Sequence, residues 1–221
     1  MLSQAAHSRE SFPAAVAAAW PQFRQALAAM ARDASMAVIA GGYEPGGADR
    51  PFNTLLAVGA DGAELGTYRK LHLYDAFAFR ESDRITPGDG GIVAIEVEGL
   101  RLGLMTCYDV RFPELARAHA VAGVHGIALP AAWHAGEHKV EHWRTLVKAR
   151  AVENTVWMLA ADTRSSGTVG HSMIVDPLAV TVAELTCEAE GLVTAEVSVE
   201  RVEQVREVVP CLANRRDDVF R

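Results

Sequence analysis

Cys107 is the residue whose position best suits covalent chemistry. It closes the apolar run LGLMT, which is typical of a strand, and a helix is predicted to begin around Pro113. A thiol at a tight strand-to-helix turn projects outward, where backbone N–H groups can stabilise developing negative charge. The usual alternative is an inert cysteine in the core. Its neighbours are polar on both sides, namely Thr106, Tyr108, Asp109 and Arg111. A core strand end rarely needs so many polar groups, so the pattern favours a nucleophile.

Lys70 is the cation that could act together with this thiol. It stands at the end of a predicted hairpin strand, in the stretch TYRKLHL. A lysine in such a place is usually a solvated surface residue. If it lies near Cys107 instead, its positive charge is expected to lower the pKa of the thiol and favour the reactive thiolate. Residue type and position alone leave both interpretations open.

A histidine-rich stretch offers a different kind of chemistry. His134, His138 and His142 recur every four residues, a spacing that could stack three imidazoles on one helix face and bind zinc. Gly136 indicates instead that the helix begins after His134, and acidic neighbours indicate a solvated face. We therefore expect no metal site. Trp133 and His134 follow a predicted strand end, which makes them candidates for lining a substrate pocket.

Arg111 has two possible roles. It stands four residues past Cys107, where its guanidinium group could pair with a substrate carboxylate in the two-pronged geometry that arginine favours. It could also brace the nucleophile loop by pairing with Asp109, and the sequence favours this second role. Both stay open at this point.

The composition excludes several classes of partner. The 221 residues are 50% hydrophobic and 22% charged, which is ordinary for a globular protein. The net charge is −7 and the chain has no basic run, so nucleic acid is not an expected partner. Three cysteines make no disulfide framework, which predicts a reducing cytoplasm. No apolar stretch approaches the roughly 18 residues of a membrane span, and the N-terminus does not resemble a signal peptide.

The predicted secondary structure mixes hairpins with helices. Strand pairs are predicted on either side of Asp61-Gly62 and of Gly99, because these residues are typical of tight turns. The first helical region is predicted to break at Trp20–Pro21. A longer helix is predicted over 136–154, and strands follow it, the last one over 192–199.

This mixture predicts a layered α/β sandwich, with two sheets packed together and helices outside them. A regular alternation of strand and helix, which would indicate one parallel sheet, is not seen. The sequence has neither a low-complexity linker nor an internal repeat. Residues 1–221 are therefore expected to form a single domain.

Three long segments carry a family pattern. They are TYRKLHLYDAFAFRESD at 67–83, TCYDVRFPEL at 106–115 and PAAWHAGEHKVEHWRTLVKARAVENT at 130–155. In this order and at this separation they resemble the three signature motifs of the nitrilase superfamily of carbon–nitrogen hydrolases. The later stretches SMIVDPLA and RRDDVF fit the same pattern. The stretch YDVRFPE is most similar to the branch of omega-amidases and deaminated-glutathione amidases, and the resemblance runs from about Met30 to the C-terminus.

The resemblance implies a four-layer αββα sandwich that assembles as a homodimer or a higher homo-oligomer. It assigns the nucleophile to Cys107, the catalytic lysine to Lys70 and a second, supporting glutamate to Glu81. The backbone N–H of Tyr108 would help Lys70 to stabilise the oxyanion. The implied reaction is hydrolysis of a small linear amide to acid and ammonia through a thioester, with a carboxylate-bearing amide favoured over a nitrile. It requires no metal or organic cofactor.

The base glutamate of the family has no counterpart in this sequence. The family places it in a Pro-Glu motif after the second strand, and the sequence begins at Met1 just where that motif should have ended. We therefore expect the first strand–helix–strand of the fold, roughly fifty residues, to be missing. Glu10 and Glu44 are the early glutamates, and neither matches the motif. A truncated form of a full enzyme is the favoured explanation, and the alternative is a short relative that binds or assembles without hydrolysis.

Overall fold

The computed structural model describes residues 8, 11–46, 50–186, 190–216 and 218–219. Its helices are α1 (Phe12–Ala34), α2 (Pro113–Val121), α3 (Lys139–Asn154) and α4 (Val199–Val208). Its strands are β1 (Val38–Glu44), β2 (Phe52–Val58), β3 (Glu64–Arg69), β4 (Asp75–Ala76), β5 (Phe79–Arg80), β6 (Ala94–Val97), β7 (Leu100–Leu104), β8 (Gly126–Ala131), β9 (Trp157–Asp162), β10 (Arg164–Ser165), β11 (Thr168–Val169), β12 (Ser172–Val175) and β13 (Thr181–Leu185). Short 3-10 turns lie at Glu81–Asp83 and Cys107–Arg111.

Two main sheets organise the fold. An antiparallel sheet has the order β1-β2-β3, and a larger one has the order β13-β12-β9-β8-β7-β6. Within the larger sheet β7, β8 and β9 are parallel and the outer strands are antiparallel. Gly62 and Gly99 adopt positive φ in the turns that join β2 to β3 and β6 to β7, as the two predicted hairpins require.

The two sheets pack face to face through an apolar core. Leu55 and Tyr68 of the smaller sheet meet Leu102, Leu104 and Ala128 of the larger one. On the outer face of the smaller sheet, the buried side of α1 packs against β2. On the outer face of the larger sheet, α2 and α3 enclose a core of their own. The order of layers is therefore helix, sheet, sheet, helix, and the predicted αββα sandwich is confirmed.

The predicted break at Trp20–Pro21 is wrong. Helix α1 continues through Pro21 for 23 residues. Proline inside a helix removes one backbone hydrogen bond and typically costs about 3 kcal/mol. The lost hydrogen bond leaves the Ala17 carbonyl without its donor. Ala17 and Pro21 are both exposed, so water can hydrogen-bond to that carbonyl instead. The opposite face of the helix buries apolar side chains along its whole length, and this packing holds the two halves together.

The predicted strand over 192–199 is also wrong. Residues 190–198 form neither strand nor helix, and α4 begins at Val199. Despite the alternation of apolar and polar residues, this segment pairs with none of the described strands. Ser198 instead caps α4 by accepting a hydrogen bond from the Arg201 backbone. Of the helices described, none has both the length and the apolar character needed to cross a membrane.

An apolar cleft lies between the edge strand β1 and the larger sheet. Its walls carry aliphatic side chains from both sheets, namely Ala37, Ile39, Val97, Leu102, Ala128, Pro130, Leu159 and Ala161. Strand β1 pairs only with β2 in the described part of the chain, so it is an edge strand of the smaller sheet. The cleft and this edge strand adjoin each other.

Candidate active site

Cys107 occupies a strained turn at the end of β7. It is the first residue of the 3-10 turn Cys107–Arg111, and its φ of 48° is in the left-handed region that non-glycine residues rarely adopt. Strain of this kind is typical of residues that a protein aims at a ligand. Cys107 keeps partial solvent exposure and is a free thiol, as is Cys211. The third cysteine, Cys187, lies outside the described residues.

The Asp109 carboxylate holds this turn in place through hydrogen bonds. Its side chain is fully buried and accepts a hydrogen bond of 2.9 Å from the backbone N–H of Thr106. It also accepts 2.7 Å from the Tyr68 hydroxyl and 2.8 Å from His72 Nδ1. Because Tyr68 and His72 flank Lys70 in the chain, one carboxylate ties the nucleophile turn to the lysine strand.

Lys70 and Glu81 form a buried ion pair. The Lys70 ammonium lies 2.6 Å from Glu81 Oε2, and the two residues are each only 3% exposed. Asn53 Nδ2 donates to Glu81 Oε1 at 2.9 Å, and the Tyr74 backbone N–H donates to Oε2 at 2.7 Å. These donors hold the carboxylate in one orientation, and the carboxylate holds the lysine.

Lys70 and Cys107 lie close enough to affect each other's pKa. Burial acts to lower the pKa of Lys70, but Glu81 and Cys107 together outweigh it and raise that pKa, so the ammonium stays charged. Protein atoms surround the Cys107 thiol, and this desolvation raises its pKa to about 11 even though Lys70 acts to lower it. The lowering effect of Lys70 that the sequence predicts is therefore present, and desolvation of the thiol outweighs it.

Aromatic side chains wall the space around these groups. The Tyr74 ring packs edge-on against both Tyr108 and His134, with ring centres about 5 Å apart. Phe79 closes the same side by packing on His134. Burial lowers the pKa of His134, and the nearby charge of Lys139 adds to this effect. The structure therefore brings Tyr108 and His134 to the wall around Cys107, Lys70 and Glu81.

Trp133 is held by two hydrogen bonds, one from its backbone and one from its indole ring. Its backbone N–H donates to Asp162 Oδ1 at 2.8 Å, and its indole Nε1 donates to the Lys139 carbonyl at 2.9 Å. Asp162 also accepts from the His171 backbone N–H. Burial raises the pKa of Asp162 to about 6 despite these donors. The hydrogen bonds therefore hold the Trp133 ring in one orientation beside the nucleophile turn.

Arg111 does not brace the loop through Asp109 in the described structure. Its guanidinium carbon lies 5.0 Å from the centre of the Trp133 ring and 5.9 Å from that of Tyr108. Its one hydrogen-bond contact, with His142 Nδ1, is long at 3.4 Å. Its Nε is buried without a hydrogen-bond partner. The role favoured from sequence is therefore wrong, and a role toward a ligand remains.

The three regularly spaced histidines do not converge. Helix α3 begins at Lys139, so His134 lies in the preceding loop and His138 is the residue before the helix. Among the described residues, no group of three His, Cys, Asp or Glu side chains is placed to hold a metal ion. Glu44 is likewise committed elsewhere, in a two-pronged ion pair with Arg69, while Glu10 lies outside the described residues.

Several residues of the site could not be assigned from the sequence. Asn53 comes from β2, far from any motif, and no sequence signal marks it. Tyr74 and Asp162 stand at strand ends without a distinctive neighbour. Lys139 lies inside the third motif but between Glu137 and Glu141, the acidic neighbours that indicate a solvated helix face. Its burial, with 6% exposure, is visible only in three dimensions.

Comparison with known proteins identifies the family. Residues 6–207 match the family described as carbon-nitrogen hydrolase. The chain belongs to the carbon–nitrogen hydrolase family. It is 48% identical over 174 residues to the deaminated glutathione amidase of Escherichia coli O157:H7, covering 79% of this chain and 66% of that protein. The predicted resemblance to the nitrilase superfamily is confirmed, and the chain is an amidase-type hydrolase by family.

Solved structures of the carbon–nitrogen hydrolase family share the fold. A carbon-nitrogen hydrolase from Helicobacter pylori G27 is 26% identical and superposes with a TM-score of 0.89, over 96% of this chain and 79% of that one. A mutant of the amidase from Nesterenkonia sp. AN1 is 28% identical, with a TM-score of 0.74 over 90% of this chain and 76% of that one. The latter structure shows Michael addition of acrylamide at its active site cysteine.

Proposed function

We propose that this chain carries the nucleophile, the oxyanion-stabilising groups and the substrate-binding groups for hydrolysis of a small linear amide with a carboxylate, through a thioester on Cys107. The observation that carries the proposal is the meeting of a strained, partly exposed cysteine with a buried lysine that a glutamate keeps charged. The cysteine adduct in the Nesterenkonia amidase supports a cysteine mechanism in this family. The deaminated glutathione amidase of E. coli supports an amide substrate.

The first half of the reaction forms the thioester. The Cys107 thiolate attacks the amide carbonyl carbon, and the carbonyl oxygen becomes an oxyanion. The Lys70 ammonium and the Tyr108 backbone N–H stabilise that charge where it develops. Collapse of the tetrahedral intermediate breaks the C–N bond, and the nitrogen leaves as ammonia after taking up a proton. In the second half, water attacks the thioester, and the acid and the free thiol are released.

Proton transfer is the step that the described residues leave open. With a pKa of about 11, the thiol needs a base to lose its proton near neutral pH. Glu81 is bound by Lys70, Asn53 and Tyr74, so its oxygens are occupied. We therefore assign the base to none of the described carboxylates. The proposal covers nucleophile, oxyanion stabilisation and substrate binding, and it needs no metal or organic cofactor.

The charge of the pocket supports a carboxylate-bearing substrate. Arg111 faces Tyr108 and Trp133, and its Nε is buried without a hydrogen-bond partner. A buried guanidinium nitrogen without a partner is unfavourable unless a ligand satisfies it. A substrate carboxylate would do so, with Trp133 and His134 flanking the amide. A substrate without a hydrogen-bond acceptor at this position would leave the same donor unsatisfied.

The test is to trap the acyl-enzyme. The chain is mixed with 4-nitrophenyl hydrogen succinate, and intact-protein mass spectrometry followed by peptide mapping locates the succinyl group. We expect one succinyl group on Cys107 and none on the Cys107→Ala variant. A succinyl group on another residue, or none on a folded wild-type chain, would overturn the proposal.

A second function has one observation in its favour. Burial raises the pKa of the Cys107 thiol to about 11, and the described carboxylates nearest to it, Glu81, Asp109 and Asp162, are engaged in hydrogen bonds. The alternative is therefore that the chain binds an amide without cleaving it, as a binding or assembly module on the same fold. In that case a carboxylate-bearing amide would protect Cys107 from alkylation, while the trapping experiment would give no thioester. The two experiments together separate a nucleophilic Cys107 from a cysteine that only lies beside a bound amide.

A further inference from the structure

Lys139 is a second buried cation beside the nucleophile, and the mechanism above does not use it. It is the first residue of α3 and is 6% exposed. Its ammonium group lies 3.3 Å from the Tyr74 hydroxyl and 3.5 Å from the centre of the Phe77 ring. No carboxylate in the described ranges lies within 4 Å of it. A buried ammonium without a counter-ion is rare, since buried charges are normally paired.

Lys139 and Arg111 flank the same indole ring. The Lys139 nitrogen lies 5.7 Å from the centre of Trp133, and the Arg111 guanidinium carbon lies 5.0 Å from it. Burial lowers the pKa of Lys139, and Arg111 lowers it further, whereas Cys107 raises it. Arg111 and Cys107 are thus both close enough to Lys139 to shift its pKa. Two like charges without counter-ions, held beside one nucleophile, repel each other unless an anion lies between them.

Contacts with aromatic rings do not remove this need. The Phe77 ring lies over the ammonium, but Phe77 is 65% exposed at the tip of the β4–β5 hairpin. Such a ring attracts the cation without supplying the opposite charge. The Lys139 backbone carbonyl already serves a structural purpose, because it accepts the Trp133 indole N–H. The side chain is not needed for that bond, so its charge is free to serve a ligand.

We propose that Lys139 is a specificity-determining residue, which together with Arg111 binds the substrate carboxylate and thereby aligns the amide carbon with Cys107. The assignment rests on the proposed function for the position of the reacting carbon. It adds a second cation to the binding of that carboxylate, which the proposed function gives to Arg111 alone. Two cations on one carboxylate give stronger selection of charged over neutral acyl groups than Arg111 alone.

The experiment compares two esters of equal chain length. 4-Nitrophenyl hydrogen succinate carries a carboxylate, whereas 4-nitrophenyl butyrate carries a methyl group in its place. The rate constant for acylation of Cys107 by each is read from nitrophenolate release in a single turnover. The variants are Lys139→Met, Lys139→Arg and, as a matched control, Lys148→Met, which changes another lysine on the same helix.

The expected result is a loss confined to the charged ester. Lys139→Met should slow acylation by the succinyl ester about ten- to hundredfold, the range for a hydrogen bond to a charged group, and leave the butyryl ester within twofold. Lys139→Arg should recover most of the preference, and Lys148→Met should behave as wild type. Equal effects on both esters, with an unchanged thermal unfolding curve, would show that Lys139 does not read the carboxylate.

A second readout separates this proposal from the proposed function. Succinate should slow the alkylation of Cys107 by iodoacetamide, and butyramide at the same concentration should not. The protection should weaken at least about tenfold in Lys139→Met. If no ester acylates Cys107 but this protection depends on Lys139, the carboxylate site stands and the hydrolase proposal fails. If Cys107 is acylated while Lys139→Met retains both charge preference and protection, the hydrolase proposal stands and the role of Lys139 is refuted.

Discussion

The Lys70 ammonium lies 2.6 Å from the Glu81 carboxylate, and both residues are 3% exposed. This pair does two things at once. It compensates a buried positive charge, and it keeps that charge beside Cys107, where an oxyanion would form. The geometry makes Glu81 a positioning residue for the lysine, because Asn53 and the Tyr74 backbone also donate to its oxygens and fix the orientation of the carboxylate.

Replacing Glu81 by Gln should therefore reduce both stability and acylation. The variant leaves the buried Lys70 charge without its partner, and removing one member of a buried pair costs about 3–5 kcal/mol. Urea denaturation measures this loss. The matched control is Glu64→Gln, which breaks an exposed pair of 2.9 Å with Arg24 and should cost less than about 1 kcal/mol. Equal losses in the two variants would mean that the buried pair is not a special support of the site.

The pKa of about 11 at Cys107 predicts how its alkylation depends on pH. Below the pKa the thiolate fraction rises tenfold per pH unit, so the iodoacetamide rate should climb about tenfold per unit between pH 7 and pH 10. The measurement uses a Cys187→Ser, Cys211→Ser background, in which Cys107 is the one remaining thiol. A rate that levels off below pH 9 would contradict the dominance of burial over the charge of Lys70.

The thiol pKa also illustrates where sequence reasoning ends. The identities of Cys107, Lys70 and Glu81 follow from motifs that are contiguous in the chain, so the sequence could single them out. The net pKa is a balance between desolvation and one nearby charge, and both depend on distances that no motif contains. Hairpins at Gly62 and Gly99 were predictable because the turn residues act locally. The continuous α1 was not, since burial along one face overrides the proline.

Residues that act across the fold were the hardest to predict. Asn53 reaches Glu81 from another strand. The Lys139 ammonium lies among the rings of Trp133, Tyr74 and Phe77, and the last two are distant in sequence. In sequence Lys139 is one charge among several on a helix that begins with polar residues. The contact of Arg111 with Asp109 was predicted wrongly for the same reason. Asp109 is the nearest carboxylate in the chain, but its side chain is buried and accepts hydrogen bonds from Tyr68, His72 and Thr106 instead.

Asp109 is expected to tolerate substitution less well than any of its partners. Asp109→Asn replaces a charged acceptor of several hydrogen bonds with an amide whose NH₂ group faces donors. We expect a loss of roughly 3 kcal/mol, since hydrogen bonds to charged groups contribute about 1.5–3 kcal/mol each. Acylation of Cys107 by 4-nitrophenyl hydrogen succinate should fall at least tenfold, because the nucleophile turn is no longer tied to the Lys70 strand.

The control for Asp109 is Tyr68→Phe, which removes a single donor at 2.7 Å and keeps the ring in the core. Its cost should be about 1–2 kcal/mol, with acylation reduced only a few fold. Differential scanning calorimetry and nitrophenolate release measure the two effects separately. If Asp109→Asn lowered the unfolding temperature but left acylation unchanged, the carboxylate would be a structural anchor without influence on the nucleophile.

The last prediction concerns the base that the thiol requires. General acid–base help typically contributes about 10²–10⁴-fold, and the described carboxylates nearest Cys107 are engaged in hydrogen bonds. The 221-residue chain should therefore turn over succinamate very slowly, although an activated ester can still acylate Cys107. Adding an upstream strand–helix–strand segment that ends in Pro-Glu should raise amide turnover by that factor. The edge strand β1 and the apolar cleft beside Ile39 offer such a segment a place to pack. Changing its glutamate to glutamine should remove the gain while leaving ester acylation intact. Rapid, Cys107-dependent hydrolysis of succinamate by the 221 residues alone would show that a residue of this chain is the base, and Glu81→Gln would then be the first variant to examine.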